Sequence, residues 1–491
     1  MGSEDRQLHI FFLPFMAHGH MIPTMDMANL FVSRGIKATI VTTPLNVPFV
    51  AKSIQKTESL GLKIDIKVIN FPAVEVGLPE GYETADAMTS SKAQGMDMAV
   101  LLKKFFTATA LLQGPVEKLM QEGRPDCLIA DMFFPWATDS ATKFGIPRLV
   151  FHGTGFFALC TAECIRLYEP QKTASSDSES FVVPNLPGDI TFTRKQMLGH
   201  QNGDDDDDIV KLINTVKESE LTSYGVIVNS VYELEQTYAD HYRKVLGRRA
   251  WPIGPLSLCN RDMEDKVQRG KEVAISEHEC MKWLDSKKPN SVIYLCFGSI
   301  ANFKASQLKE LALGLEASGQ SFIWVVRKDQ SINQKEEEDW LPEGFENRME
   351  GKGLIIRGWA PQVLILDHYA IGGFVTHCGW NSTLEGITAA KPMVTWPLSA
   401  DQFYNEKLVT EVLKIGVPVG VKQWVRLYGD FIEREAIEKS VTRVMLGSEA
   451  EAMRSRVKEY GEMVRKAVEE GGSSDSNLKA LIQELKDRRA V

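Results

Sequence analysis

Short apolar runs alternate with amphipathic stretches along most of the chain. LHIFFLPF, IKATIVTT, IDIKVINF, PDCLIADMF and PRLVFHG mark the first part, with helical segments such as MIPTMDMANLFVSRG between them. The strand–helix rhythm predicts βαβ units around a parallel sheet. The series repeats later as SVIYLCFGS, FIWVVR, GLIIRGWA, GGFVTH and PMVTWP. Between the two, the Trp-Pro and Gly-Pro pairs of RRAWPIGPLS mark a crossing, and the charged residues 260–277 extend it. The stretches ASSDSES and Asp204 to Asp208 predict polar surface loops, and the final helices, about 450–488, are amphipathic. The pattern is that of an α/β protein with two sheets.

Composition narrows the class. A chain of 491 residues is long enough for two domains with separate cores. A net charge of -9 argues against nucleic acid or an anionic membrane surface as partner. No apolar run reaches the ~18 residues of a membrane span. The stretch from His9 to Ala17 is short and broken by Pro14, and the charged start MGSEDRQ is no secretory signal. The seven cysteines are scattered without a CxxC pair, which predicts reduced thiols in a cytoplasmic protein.

The densest chemistry lies in the 44 residues from Trp359 to Gln402, WAPQVLILDHYAIGGFVTHCGWNSTLEGITAAKPMVTWPLSADQ. A buried strand there runs through a Gly-punctuated turn into a helix, whose N-terminal amides and dipole favour an anion. This segment resembles the plant secondary-product box of the UDP-dependent glycosyltransferases in pattern and length. FFLPFMAHGH, IADMFFPWATDSATKFGIPRLVFHGTGF and YGVIVNSVYELE resemble the same family, so the likeness runs end to end. It is narrowest with the plant group that glucosylates flavonoids, coumarins and some triterpenoid or steroid aglycones.

The resemblance implies the GT-B architecture: two Rossmann-like domains whose parallel sheets face each other across a cleft. The expected division is an acceptor domain over 1–247, a linker over 248–277 and a UDP-sugar domain over 278–465. A C-terminal helix over 466–491 is expected to pack back on the first domain. The implied reaction moves glucose from UDP-glucose to an aglycone hydroxyl with inversion, giving a β-glucoside. No metal or other cofactor is required, and a monomer is expected.

His20 follows the first strand, and Asp131 ends the strand CLIAD, so both stand at the carboxyl edge of one parallel sheet. A histidine takes a proton near neutral pH, and a carboxylate behind it can steady the imidazolium. The family's His–Asp pair falls on these positions, with His18 as the rival base. Trp359 offers a flat face for uracil, with Ala360 and Gln362 reaching its edge and the ribose. Glu385 suits the ribose hydroxyls, although Ser382-x-x-Glu385 also spells a capping box. His377, Asn381, Ser382 and Ser299 are expected on the diphosphate, and Trp380, Asp401 and Gln402 on the sugar. Tryptophan at 380 with glutamine at 402 goes with glucose in the family. Met16, Phe133, Trp136, Phe156 and Phe157 are expected in the acceptor pocket from their position beside the catalytic strands.

Two patterns point elsewhere. Gly153-Thr-Gly155-Phe-Phe-Ala158 fits a dinucleotide turn but follows the fifth strand instead of the first. The Asp204–Asp208 run mimics a metal-binding DxD yet has the composition of a solvated loop. The alternatives are a sapogenin glucosyltransferase, another UDP-sugar donor, a C-glycoside product, or a non-catalytic UDP-sugar binder.

Overall fold

A computed structural model describes residues 7–89, 97–197, 208–260, 266, 269–298, 303–326, 340–424 and 429–490. The first domain places β1 (His9–Leu13), β2 (Lys37–Thr42), β3 (Ile64–Val68), β4 (Cys127–Asp131) and β5 (Arg148–Phe151) in one sheet. The short hairpin β6 (Ser180–Val182) and β7 (Thr191–Thr193) stands apart, and β8 (Gly225–Val228) and β9 (Ala250–Pro252) complete the sheet. Its order is β3-β2-β1-β4-β5-β8-β9, parallel throughout. The chain winds outward in both directions from β1 and β4. Their junction is therefore the switch point where an open sheet leaves a crevice. HIFFL and CLIAD are buried along their full length, as strands covered on both faces must be.

The second domain repeats the plan with β10 (Val292–Cys296), β11 (Ser321–Val326), β12 (Gly353–Arg357), β13 (Ile371–Thr376), β14 (Met393–Thr395) and β15 (Gly416–Pro418). The order β12-β11-β10-β13-β14-β15, again parallel, sets the switch point between β10 and β13.

Seven helices matter for the site: α1 (His18–Val32), α2 (Val47–Ser59), α3 (Phe156–Tyr168), α4 (Gln362–Asp367), α5 (Trp380–Thr388), α6 (Gln402–Lys407) and α7 (Ser473–Ala490). Leu478, Leu481, Ile482 and Leu485 repeat at helical spacing along α7 and bury into the core that holds Ile10, Phe31 and Trp251. The last helix thus belongs to the first domain's core. The segment expected as linker from 248 begins inside the first sheet, because Ala250–Pro252 pairs with β8. The connection starts only after that edge strand. One apolar cluster spans the domains, joining Phe156 and Phe157 of α3 to Trp380 of α5 and Tyr404 of α6.

Candidate active site

The two switch points face each other. At the first, Nδ1 of His20 lies 2.7 Å from Oδ2 of Asp131. The carboxylate is buried, while the imidazole keeps 23% of its side-chain surface open. Asp131 also accepts from the amide of Phe133 at 3.1 Å, and buried Arg148 donates to its carbonyl at 2.9 Å. Burial works to lower the His20 pKa, and the Asp131 charge and hydrogen bond outweigh it, so the net shift is upward. His18 is turned away from this dyad. Its Nδ1 meets Asp86, and its ring lies against Phe49 and near Trp359.

Aromatic rings line the space beside His20. Phe15 and Phe133 pack within 5.5 and 5.8 Å of its ring centroid, and Phe106 stacks on Phe15. Phe133, expected in the acceptor pocket, packs beside His20. Phe156 and Phe157 do not: both are fully buried against Tyr242 and Tyr238. The first turn of α3 faces the core. Met16 is buried, with its carbonyl accepting from Ala85, and Trp136 donates its indole N–H to the carbonyl of Thr109 at 3.1 Å.

The Gly153–Ala158 turn offers its helix start to a carboxylate of the chain itself. The α3 N-terminus is filled by Glu235, whose carboxylate accepts from the amides of Phe156 (3.1 Å) and Phe157 (2.7 Å). Gly155 is glycine for a packing reason, since a Cβ there would lie 2.6 Å from Trp380. Thr154, in the same turn, donates to Asp401 across the cleft.

At the second switch point, β13 ends at Thr376, and the turn His377-Cys378-Gly379 opens α5. Burial lowers the His377 pKa to about 4, leaving a neutral ring whose buried Nδ1 makes no protein hydrogen bond. Glycines 298 and 379 sandwich that ring; a Cβ on them would fall 2.7 and 2.5 Å from it. Gly379 is the N-cap and the helix starts at Trp380, so Ser382 and Glu385 form no capping box. One turn apart, they share Gln362 of α4, whose amide donates to Ser382 at 3.0 Å and Glu385 at 2.7 Å. Ala360 is buried next to Trp359.

Two expected donor contacts are spent on the fold. Trp380 donates its indole N–H to the carbonyl of Asn229 at 2.7 Å, fastening the domains together. Asn381 donates to the carbonyl of Gly19 at 2.7 Å, directly beside His20. The side-chain oxygen of Gln402 accepts from the amides of Leu398 (2.8 Å) and Ser399 (2.9 Å), which leaves its N–H groups available. Asp401 accepts from Asn405 at 3.0 Å, and burial raises its pKa. Ser299 and Asp204 to Asp207 lie outside the described residues, and Asp208 opens a helix. Every cysteine is a free thiol. Among the described residues no helix is long and apolar enough to cross a membrane, and no cluster of three or more His, Cys, Asp or Glu forms a metal site.

Thr154, Glu235, Phe15 and Phe106 were not singled out from sequence. Thr154 and Glu235 do sit inside the family-like phrases HGTGF and YELE, which was the available signal.

Residues 83–422 match the family described as UDP-glucoronosyl and UDP-glucosyl transferase. The chain belongs to this family, and it is a glycosyltransferase of the GT-B fold. It is 60% identical to a scopoletin glucosyltransferase of Nicotiana tabacum over 98% of each chain. It is 57% identical to UDP-glucose flavonoid 3-O-glucosyltransferase 7 of Fragaria ananassa, over 98% of this chain and 97% of that one. Among solved structures, it resembles Glycyrrhiza uralensis UGT73P12 complexed with glycyrrhetinic acid 3-O-monoglucuronide, at 40% identity and a TM-score of 0.89. That match covers 99% of this chain and 96% of the other.

Proposed function

We propose that the protein is an inverting O-glucosyltransferase that moves glucose from UDP-glucose to a hydroxyl of a small phenolic aglycone of the coumarin or flavonoid class. The observation that carries this reading is the His20–Asp131 pair at one switch point, opposite an anion-suited helix start at the other. The acceptor hydroxyl sits among Phe15, Phe106 and Phe133, apolar rings that suit a flat aglycone. His20 takes the hydroxyl proton on Nε2 while Asp131 holds Nδ1 and offsets the new charge. The acceptor oxygen attacks the anomeric carbon from the face opposite UDP. The new C–O bond forms as the bond to the β-phosphate oxygen breaks, and the configuration inverts to β.

In this reading uracil stacks on Trp359, Gln362 and Glu385 meet the ribose, and His377 with the first amides of α5 meets the diphosphate. Fixed donors and the helix dipole stabilise the charge on departing UDP, so no metal is required. Asp401 and the free N–H groups of Gln402 hold the sugar hydroxyls, and Thr154 fixes Asp401 from the other domain. Relatives that carry glucosyltransferase in their names, one with UDP-glucose as donor, support the donor and the phenolic class.

The test offers UDP-glucose, UDP-galactose, UDP-xylose and UDP-glucuronate with coumarin, flavonoid, triterpenoid and steroid aglycones, and follows product mass and anomeric coupling. A β-O-glucoside of a phenolic is expected. An acid-stable C-glycoside, a sapogenin product alone, or UDP-sugar binding without transfer would replace this reading with one of its alternatives.

A further inference from the structure

Arg269 and Gly270 of the interdomain connection lie against the very groups assigned to uracil and ribose. Arg269 donates from Nε to Asp26 of α1 at 2.9 Å, and its other guanidinium arm reaches Oε1 of Glu385 at 2.5 Å. All three side chains are nearly buried, at 11%, 5% and 6% exposure. Gly270 presses on the indole of Trp359. A Cβ at this position would stand 2.3 to 2.9 Å from three atoms of that ring, and its φ of +96° is one that other residues rarely adopt. The indole Nε1 beneath it is buried without a hydrogen-bond partner. Lys52 of α2 donates to the carbonyls of Gly270 (3.3 Å) and Lys271 (3.1 Å), and the amide of Ala274 donates to the carbonyl of Trp359 at 2.8 Å. The strap is thus held by both domains.

We propose that this strap is an internal competitor for the donor: Arg269 and Gly270 occupy the uracil–ribose subsite and must be displaced before a UDP-sugar can bind. The inference rests on the donor-site reading above. Gln362 and the nearly buried Arg269 already engage the two oxygens of Glu385, so a ribose must displace the guanidinium to reach that carboxylate, and Gly270 covers part of the Trp359 indole on which a base would stack. The apparent donor affinity is then the intrinsic affinity scaled by the fraction of molecules with the strap displaced. After transfer, return of the strap favours release of UDP.

The test uses the full chain. UDP binding is measured calorimetrically for wild type, Arg269→Gln and Gly270→Ala, with Trp359→Ala alongside. Arg269→Gln removes the charge that engages Glu385, and Gly270→Ala places a methyl where the ring already stands. Hydrogen exchange of residues 269–276 in wild type, with and without UDP, needs no variant to fold. Tighter UDP binding in the two strap variants, by about threefold or more, is expected, together with faster exchange of the strap on UDP addition. Equal or weaker binding in both variants, or a strap protected by UDP, overturns the proposal and makes Arg269 a donor ligand or a structural clasp. Unchanged UDP binding by Trp359→Ala would instead overturn the donor-site reading itself.

Discussion

Asn381 of the second domain donates its side-chain amide to the carbonyl of Gly19, 2.7 Å away, and Gly19 precedes His20, the proposed base. The turn proposed for the diphosphate and the turn that carries the proposed base are therefore fastened to each other, which in that mechanism sets donor and acceptor in one frame. Holding two reactants in line is a large part of what a transferase supplies.

The dyad makes a signed pH prediction. In the proposed mechanism the base works as a neutral imidazole, and the His20 pKa is raised above its ordinary 6.5 because Asp131 outweighs burial. Activity should therefore rise with pH through that raised value and level off above it. Asp131→Asn removes the raising charge, so the limb should move to lower pH while the plateau falls by about 10²–10⁴-fold. A limb that stays in place, read from kcat/KM against pH, would detach Asp131 from the base.

The domain seam makes a packing prediction. Gly155→Ala puts a methyl 2.6 Å from Trp380, whose indole N–H is bonded to Asn229. Overpacking of this kind costs about 1–3 kcal/mol, which should appear as a Tm lowered by several degrees, with transfer activity reduced. An unchanged Tm would mean that the seam is loose enough to absorb the methyl.

His377 is neutral because burial lowers its pKa to about 4. The ratio of wild-type to His377→Gln affinity for UDP-glucose should then stay constant from pH 6 to pH 8. A ratio that grows as the pH falls would show that a charged imidazole meets the diphosphate.

The leaving group is assigned to helix amides and neutral donors. Chelation with EDTA should accordingly leave the transfer rate unchanged. A rate that collapses on chelation and returns with a divalent cation would contradict that assignment.

Much of this was legible before any coordinates. His20 follows one buried strand and Asp131 ends its neighbour, and in a parallel sheet strand ends share an edge, so their meeting follows from local pattern and topology. Phe156 and Phe157 show where pattern stops: spacing marks a helix without saying which face meets the core, and theirs does. Trp380 is expected on the sugar and Asn381 on the diphosphate, but their side-chain N–H groups fasten the two domains. That depends on how the second domain docks, which no local window encodes. Arg269 lies 243 positions from Asp26 and 116 from Glu385, so its bridge was beyond any motif. The linker boundary missed β9 because Ala250–Pro252 is short and carries the Trp-Pro pair that marks a crossing.

The most direct measurement is UDP release and glucoside formation by His20→Ala, with UDP-glucose and an aglycone that the wild type glucosylates. Transfer should fall by at least about 10²-fold while UDP-glucose binding stays close to wild type, since the imidazole acts on the acceptor. Transfer at the wild-type rate would remove His20 from the chemistry and leave His18, with its own carboxylate partner Asp86, as the base.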